Sequence, residues 1–530
     1  MRDFQSPGRS QVVACNGMAA TSHGLATLTA VNMLAAGGNA MDAAVAACAV
    51  QCVVEPGSTG IGGDCFALFS PAGSDRLIAY NGSGRAPAAA TPEWYRENGF
   101  TEIPRHSPHA VTIPGAVDAW TRLIADHGRK SMEEVLRPAI ALARDGYAIT
   151  PRVAFDWAAQ KDLLAKDPNT AAIFLPDGRT PHAGEKHRQT RLADTLEAIG
   201  AAGRDAFYQG AVAAELVDCL RAKGGLHTLD DFKSARGNYF TPVKTTFRGY
   251  DIHECGPNGQ GIIALLILNI LRGFRAEGEP MSVERLHREI EATRLAYSVR
   301  DAVLADPDQA PVPTDWLLSD ALADRLRAVI DPKRAVETLP CFAPPEHRDT
   351  VYITVVDKDR NAVSFINSLF NPFGSAIAAP ASGVLLHNRG QGFVVKPGHP
   401  NTIAPGKRPL HTIIPGMVTK NGRVHMSFGV MGGHYQAMGH AYFLSRVLDY
   451  GMDMQSAMEL PRLFPKPGSG EVDAEHTLPS ATRSALAERG FRLTEPAAPI
   501  GGAQSIMIDW ENGTLTGASD PRKDGCALGY

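Results

Sequence analysis

The chain lacks most of the features that assign a class at sight. Its 530 residues hold eight cysteines, scattered at Cys15, Cys48, Cys52, Cys65, Cys219, Cys255, Cys341 and Cys526 without a CxxC pair. That excludes a zinc-ribbon spacing and a dense disulfide framework. Cys48 and Cys52 stand four apart in an alanine-rich run and read as two buried small side chains rather than metal ligands. The longest apolar runs, 43–54 and 262–271, fall short of the ~20 residues a membrane span needs. The opening MRDFQSPGRS has no apolar core of a secretory signal. A net charge of −4 gives no whole-chain attraction to nucleic acid or to an anionic membrane. GxSxG, HExxH, Walker A and GxGxxG are all missing from the contexts that would give them meaning. Gly60-Ile-Gly-Gly63 lacks the Lys-Ser/Thr of a phosphate loop and reads as packing and turn structure. The expectation is a cytoplasmic protein with no nucleic-acid or membrane partner.

What is present is an ordinary globular composition, 44% apolar and 20% charged. Residues 24–38 read as a helix stopped by paired glycines. Asn39 is a good N-cap for an almost wholly apolar, hence buried, helix over 39–50. A strand is expected at 65–70. From about 132 to 305 the pattern is mostly helical, clearest at Met132–Asp145, 211–223 and Val283–Val303. Residues 336–348 carry three prolines and little periodicity, as a surface linker would. The period then changes to two: strands at Val351–Val356 and 362–370 flank the turn Asp357-Lys-Asp-Arg-Asn361. Further strands are expected at 383–386, 412–418 and 424–428, and helices at Tyr435–Tyr450 and 454–460. No repeat or low-complexity tract is visible.

The chemistry concentrates where the loose segment meets the first of these strands. If the bond between Asp349 and Thr350 breaks, one residue holds both a hydroxyl and a new α-amine, a nucleophile with its own base. Such an amine has a pKa of about 7.7–8.0, so a neutral fraction exists near pH 7. A hairpin loop at Lys358-Asp359-Arg360 pairs Asp357 with Asn361 and Val355 with Val363, which puts Thr350 opposite Ser368. A slip of one residue puts Asn367 there instead. Taken alone, an ordinary Thr–Ser cross-strand pair is the simpler reading. Downstream, Met431-Gly-Gly433 leads from a strand into a helix, a turn whose backbone N–H groups suit a developing oxyanion.

In combination these residues resemble the γ-glutamyltranspeptidase family of N-terminal-nucleophile hydrolases. Residues 24–38 and 38–46, Gly60-Ile-Gly-Gly63, Arg85-Ala-Pro87, Ile113-Pro-Gly115, 291–297, Asp306-Pro-Asp308, 350–361, Lys407-Arg-Pro-Leu410, Met431-Gly-Gly433 and Asp520-Pro-Arg522 carry the likeness, in order and across nearly the whole chain. The resemblance implies an α/β (α+β) fold, a four-layer αββα sandwich. It also implies that Thr350 attacks the carbonyl of Asp349, leaving a large chain of 1–349 and a small chain of 350–530 intertwined in one domain. Ser368 then supports the nucleophile, Gly432 and Gly433 form the oxyanion hole, and no cofactor or metal is needed. Whether such heterodimers assemble further is open.

The departures fall on the substrate. Where true γ-glutamyl enzymes carry an arginine that grips the α-carboxylate, the matching position is Ser83, with Arg85 displaced by two. The family's asparagine on the second strand becomes Phe370. The glutamine and aspartate that hold the α-amino group match Arg389 and Gly392, and the serine pair matches His411-Thr412. Losing acceptors for an ammonium group disfavours a free α-amino acid, because an unpaired buried ammonium costs several kcal/mol. A carboxylate could still be held, through Arg389 or Arg85. The connection 396–407 is short, so an open pocket is expected. The pattern is similar to that of the family's amidases, oxamate amidohydrolase and cephalosporin acylases among them. The expected activity is self-processing hydrolysis of a small carboxylate-bearing amide. The alternatives are true γ-glutamyl transfer and a non-catalytic binding homologue.

Overall fold

The computed structural model describes residues 4–5, 8–339 and 350–530. Two seven-stranded sheets, antiparallel throughout, lie face to face. The first runs in the order Val12–Ala14, Thr514–Ser519, Gly502–Asp509, Arg423–Met431, Gly416–Lys420, Tyr250–Glu254, Val243–Phe247. The second runs Cys526–Gly529, Met18–Thr21, Val351–Val356, Ala362–Ser368, Asp64–Ser70, Ile78–Gly82, Asn238–Phe240.

Side chains alternate across each strand, and the alternation builds three cores. Phe66, Leu68, Tyr352, Val356 and Ile366 point between the sheets, where they meet Met417, Val424, Ile506 and Leu515. Cys65, Ala67, Ile353, Val355 and Phe365 point outward, against a helical layer containing Ala40–Val54. On the far side, Met426, Phe428 and Val430 pack on Gly261–Arg272, Val283–Val303 and Tyr435–Tyr450. The layers are therefore α, β, β, α, as the resemblance implies.

Ala40–Val54 is buried along its whole length, Cys48 and Cys52 included. Asn39 caps it, its Oδ1 accepting from the Met41 and Asp42 amides while Asp42 reaches back to the Asn39 N–H at 2.8 Å. The helices Met132–Asp145, Val283–Val303 and Tyr435–Tyr450 and the strand Val351–Val356 have the bounds read from sequence.

Four strands differ in extent from expectation by two residues or more: 362–370 ends at Ser368, 424–428 lengthens to Arg423–Met431, and two others change more. The 383–386 strand shrinks to Leu385–Leu386, and the 412–418 strand becomes Gly416–Lys420. Residues 411–414 leave the sheet because other groups bind their backbone. The His411 N–H donates to Asn258 O, the His411 carbonyl accepts from Gln260 N, and the Ile414 N–H donates to Gln436 Oε1. Most of the expected linker, 340–348, and the expected cleavage residue Asp349 lie outside the described residues.

The Gly60–Gly63 turn sets how closely the nucleophile's sheet can assemble. A Cβ on Gly63 would stand 2.4 Å from Ser368 O and 3.0 Å from Gly60 O, both backbone. Gly63→Ala is expected to destabilise the chain by about 1–3 kcal/mol. Gly470→Ala, with nothing within 4 Å of the added atom, is expected to leave it unchanged. Melting of the two purified variants beside the parent chain checks this.

Candidate active site

The hairpin register decides what faces Thr350. Val351 pairs with Asn367 and Val356 with Ala362, which brings Thr350 opposite Ser368. The next strand puts Asp64 opposite Ser368 in turn. Cross-strand partners share a face, so Thr350, Ser368 and Asp64 form a row on the inter-sheet side. All three are fully buried. Thr350 Oγ1 and Ser368 Oγ lie 3.2 Å apart. Gln436, in the first turn of Tyr435–Tyr450, donates its Nε2 to Thr350 Oγ1 at 3.3 Å.

Ser368 is a crossroads. Its Oγ accepts from the Phe370 N–H at 2.9 Å and faces Arg389 Nη2 at 3.3 Å. Arg389 also donates Nη1 to Thr412 Oγ1 at 2.8 Å. Its guanidinium lies 3.9 Å over the Phe370 ring, within cation–π range. Phe370 holds a positive φ of 81°, a conformation uncommon for a bulky residue and found where surroundings enforce it.

Behind the arginine lies a buried charge cluster. Asp64 Oδ1 accepts from the Gly84 and Gly115 N–H groups at 3.0 and 3.3 Å, and Oδ2 from His411 Nε2 at 3.0 Å. Burial alone would raise the Asp64 pKa, but His387, His411 and Arg389 together hold it down at about 2. Burial lowers Arg389 to about 9, against support from Asp64. Burial, helped by Arg389, lowers His411 to about 3, so its imidazole is neutral at pH 7.

The glycine turn has the predicted form. Gly432 and Gly433 take φ of 120° and 59°. Among the described residues neither N–H has a hydrogen-bond partner. The turn is braced from below: Gln260 Nε2 donates to Thr412 O at 3.0 Å and Gly433 O at 3.1 Å. Arg300 Nη1 lies 2.8 Å from Gln260 Oε1 and 2.9 Å from His434 Nδ1. A largely apolar cavity of about 270 Å³ adjoins the turn, its walls including Pro372, Gly432, Tyr435, Phe464 and Ile500.

The structure thus joins Thr350, Ser368, Phe370, Arg389 and Thr412 by direct contacts, and His411 through Asp64. It sets Arg85 apart: that guanidinium binds Asp308 at 2.8 Å, Asp306 at 3.5 Å and the Gly406 carbonyl. The expected open pocket does not describe the uncut chain, because Thr350, Ser368 and Arg389 are all enclosed. Sequence reasoning missed Asp64, Gln436, Gln260 and Arg300. Asp64 had a usable signal, an acid placed at the head of an apolar strand straight after a glycine pair. Gln436 had a weaker one, its place three residues past the second glycine.

A family model described as gamma-glutamyltranspeptidase matches residues 26–530. The chain belongs to the γ-glutamyltranspeptidase family. Family relatives include the glutathione hydrolase-like YwrD proenzyme of Bacillus subtilis, 38% identical over 98% of this chain and 99% of that protein. The oxamate amidohydrolase proenzyme of Klebsiella pneumoniae is 34% identical over 98% of this chain and 100% of that protein. Among solved structures, a cephalosporin acylase from Bacillus halodurans superposes with a TM-score of 0.93 at 37% identity, covering 100% of this chain and 99% of that one. Family members are hydrolases and acyltransferases, and this chain is an enzyme of that family.

Burial makes the fold sensitive to acid. His23, His187, His227 and His253 are lowered to about 4, and His411 and His440 to about 3, in each case chiefly by burial. An unfolded histidine takes up its proton near pH 6.5 while these stay neutral. The unfolded state therefore binds more protons as pH falls from 6.5 toward 4, and each histidine removes about 1.4 kcal/mol of stability per pH unit. Asp64 adds a loss only lower still, as pH passes through about 2. Melting temperature is expected to hold above pH 6.5 and to fall steeply between 6.5 and 4; a flat profile there would contradict the burial.

Proposed function

We propose that this enzyme cuts its own chain before Thr350 and then hydrolyses amides whose acyl group carries a carboxylate and no α-amine. The observation that carries this reading is the buried Arg389 guanidinium. It lies 3.3 Å from the Ser368 hydroxyl, which is itself 3.2 Å from that of Thr350. Its Nε has no hydrogen-bond partner among the described residues, leaving a donor for a substrate carboxylate. An α-ammonium group would meet the same cation. The nearby carboxylate, Asp64, is already committed to two amides and His411.

In self-cleavage the Thr350 hydroxyl adds to the Asp349 carbonyl carbon, the peptide C–N bond breaks, and the acyl group moves from nitrogen to oxygen. That shift frees the Thr350 amine; water then hydrolyses the ester, which restores the Thr350 hydroxyl and leaves Asp349 with a terminal carboxylate. With substrate, Thr350 Oγ attacks the amide carbon while its amine accepts the hydroxyl proton. The oxyanion is met by the Gly432 and Gly433 N–H groups. The ammonium returns its proton to the departing nitrogen, and the C–N bond breaks. Water, activated by the same amine, releases the acid and restores the enzyme. The cavity beside Gly432 gives a departing amine room. Relatives named as proenzymes support the self-cleavage step.

Denaturing electrophoresis of the purified protein is expected to give two bands, the smaller starting Thr-Val-Tyr-Ile, and Thr350→Ala a single one. An intact parent chain that stays intact would sink the mechanism. Glutaryl amides and oxamate are expected to be turned over faster than glutathione. Arg389→Gln is expected to lower kcat/KM on the carboxylate-bearing amides about 10–100-fold, the loss of a hydrogen bond to a charged group. Glutathione as the best substrate would return the site to γ-glutamyl chemistry.

A further inference from the structure

Asp64 has no part in the steps above, yet the site is built around it. It stands in the row with Thr350 and Ser368 and is fully buried. Three glycine-bearing segments close on it. A Cβ on Gly63 would meet Ser368 O at 2.4 Å, one on Gly84 would meet Ile113 O at 1.9 Å, and one on Gly115 would meet Gly82 O at 2.1 Å. These close approaches are what let the Gly84 and Gly115 N–H groups reach Asp64 Oδ1. The Gly60–Gly63 turn and the 82–85 and 113–115 segments together form a cradle for one carboxylate.

The hydrogen atoms around that carboxylate are also fixed. His411 Nδ1 accepts from the Ile413 N–H at 3.4 Å, so Nε2 carries the hydrogen it gives to Asp64. His387 Nε2 donates to the Thr112 carbonyl at 2.9 Å, and its Nδ1 stands 3.7 Å from Asp64 Oδ2. Burial lowers the pKa of both imidazoles, which leaves them neutral near pH 7. The lasting positive charge that Asp64 balances beside the nucleophile is Arg389.

We propose that Asp64 is a positioning residue, the fixed negative charge that keeps the Arg389 guanidinium against Ser368 and so sets the enzyme's preference for an anionic acyl end. Removing one member of a buried charge pair leaves the other uncompensated. Without Asp64, Arg389 turns away from the row or draws in a solvent anion, and in both cases the substrate carboxylate loses its partner. The inference rests on the reading of Arg389 given above.

The test uses the full chain as wild type, Asp64→Asn, Arg389→Gln and the double variant. Two amides are compared that share a leaving amine and differ in an acyl end that is a carboxylate or a carboxamide. Asp64→Asn is expected to reduce the carboxylate-over-carboxamide ratio of kcat/KM about tenfold or more, and to change it less than about twofold once Arg389 is glutamine. Equal losses on both amides, or the same loss in both backgrounds, would overturn the proposal. Should Asp64→Asn not fold, Asp64→Ala is assayed with and without excess formate; recovery of the ratio supports a charge in the cradle, and none overturns it. A wild type indifferent to the two amides defeats the Arg389 reading alone. The coupling is then taken from self-cleavage rates of the same four proteins, where additive losses overturn the Asp64 assignment and non-additive losses support it.

Discussion

The register of one β-hairpin is the constraint on which the site depends. Because Val351 lies opposite Asn367, Thr350 falls opposite Ser368, and the adjoining strand adds Asp64 to the same row. A slip of one residue would send Thr350 to the outward face, among the packed alanines of Ala40–Val54. The inter-sheet side is different, since polar contacts already cross it: Thr354 Oγ1 with Ser427 Oγ at 2.8 Å, and Ser364 Oγ donating to the Phe428 carbonyl at 3.3 Å. Register thus selects both the partners of Thr350 and a medium in which their charges act strongly.

The second sheet supplies the other half of the chemistry. Arg423–Met431 runs up to Gly432, and the helix that follows returns Gln436 to Thr350. Gln260 and Arg300 tie this turn to Thr412, which in turn meets Arg389. The glycine turn and the Arg389 guanidinium are therefore parts of one hydrogen-bonded body. Preorganisation of that kind is what makes backbone dipoles effective, since they need not reorient as charge develops.

Legibility followed sequence separation. The hairpin was readable because its turn, its alternation and its two hydroxyls lie within twenty residues, and period two fixes which side chains meet. The glycine turn was readable for the same local reason. Asp64 was not, because its setting is assembled from afar: a cradle from residues 84 and 115, an imidazole at 411 and a guanidinium at 389. The strands at the chain ends, Val12–Ala14, Met18–Thr21 and Cys526–Gly529, were missed because each is short and takes its stability from partners far away in sequence. Arg85 shows the converse: its motif position suggested a substrate contact, while the structure gives its charge to Asp306 and Asp308.

The same topology explains why a break before Thr350 need not undo the fold. The strand that follows that bond begins at Val351. Val351–Val356, which would begin the small chain, is held between Met18–Thr21 from the large segment and Ala362–Ser368 from its own. Asp64–Ser70 from the large segment closes the other flank of the hairpin. In the facing sheet Tyr250–Glu254 and Val243–Phe247 on one edge and Val12–Ala14 on the other flank four strands that run from residue 416 onward. Each piece therefore lacks neighbours that only the other provides, and the inter-sheet core mixes Phe66 and Leu68 with Tyr352, Ile366 and Met417. Separating the pieces would expose that core and unpair the ladders on both sides of the nucleophile. Cutting one peptide bond costs none of this, so a chain whose site is enclosed when intact can gain a free amine at Thr350 while keeping the row that gives it purpose.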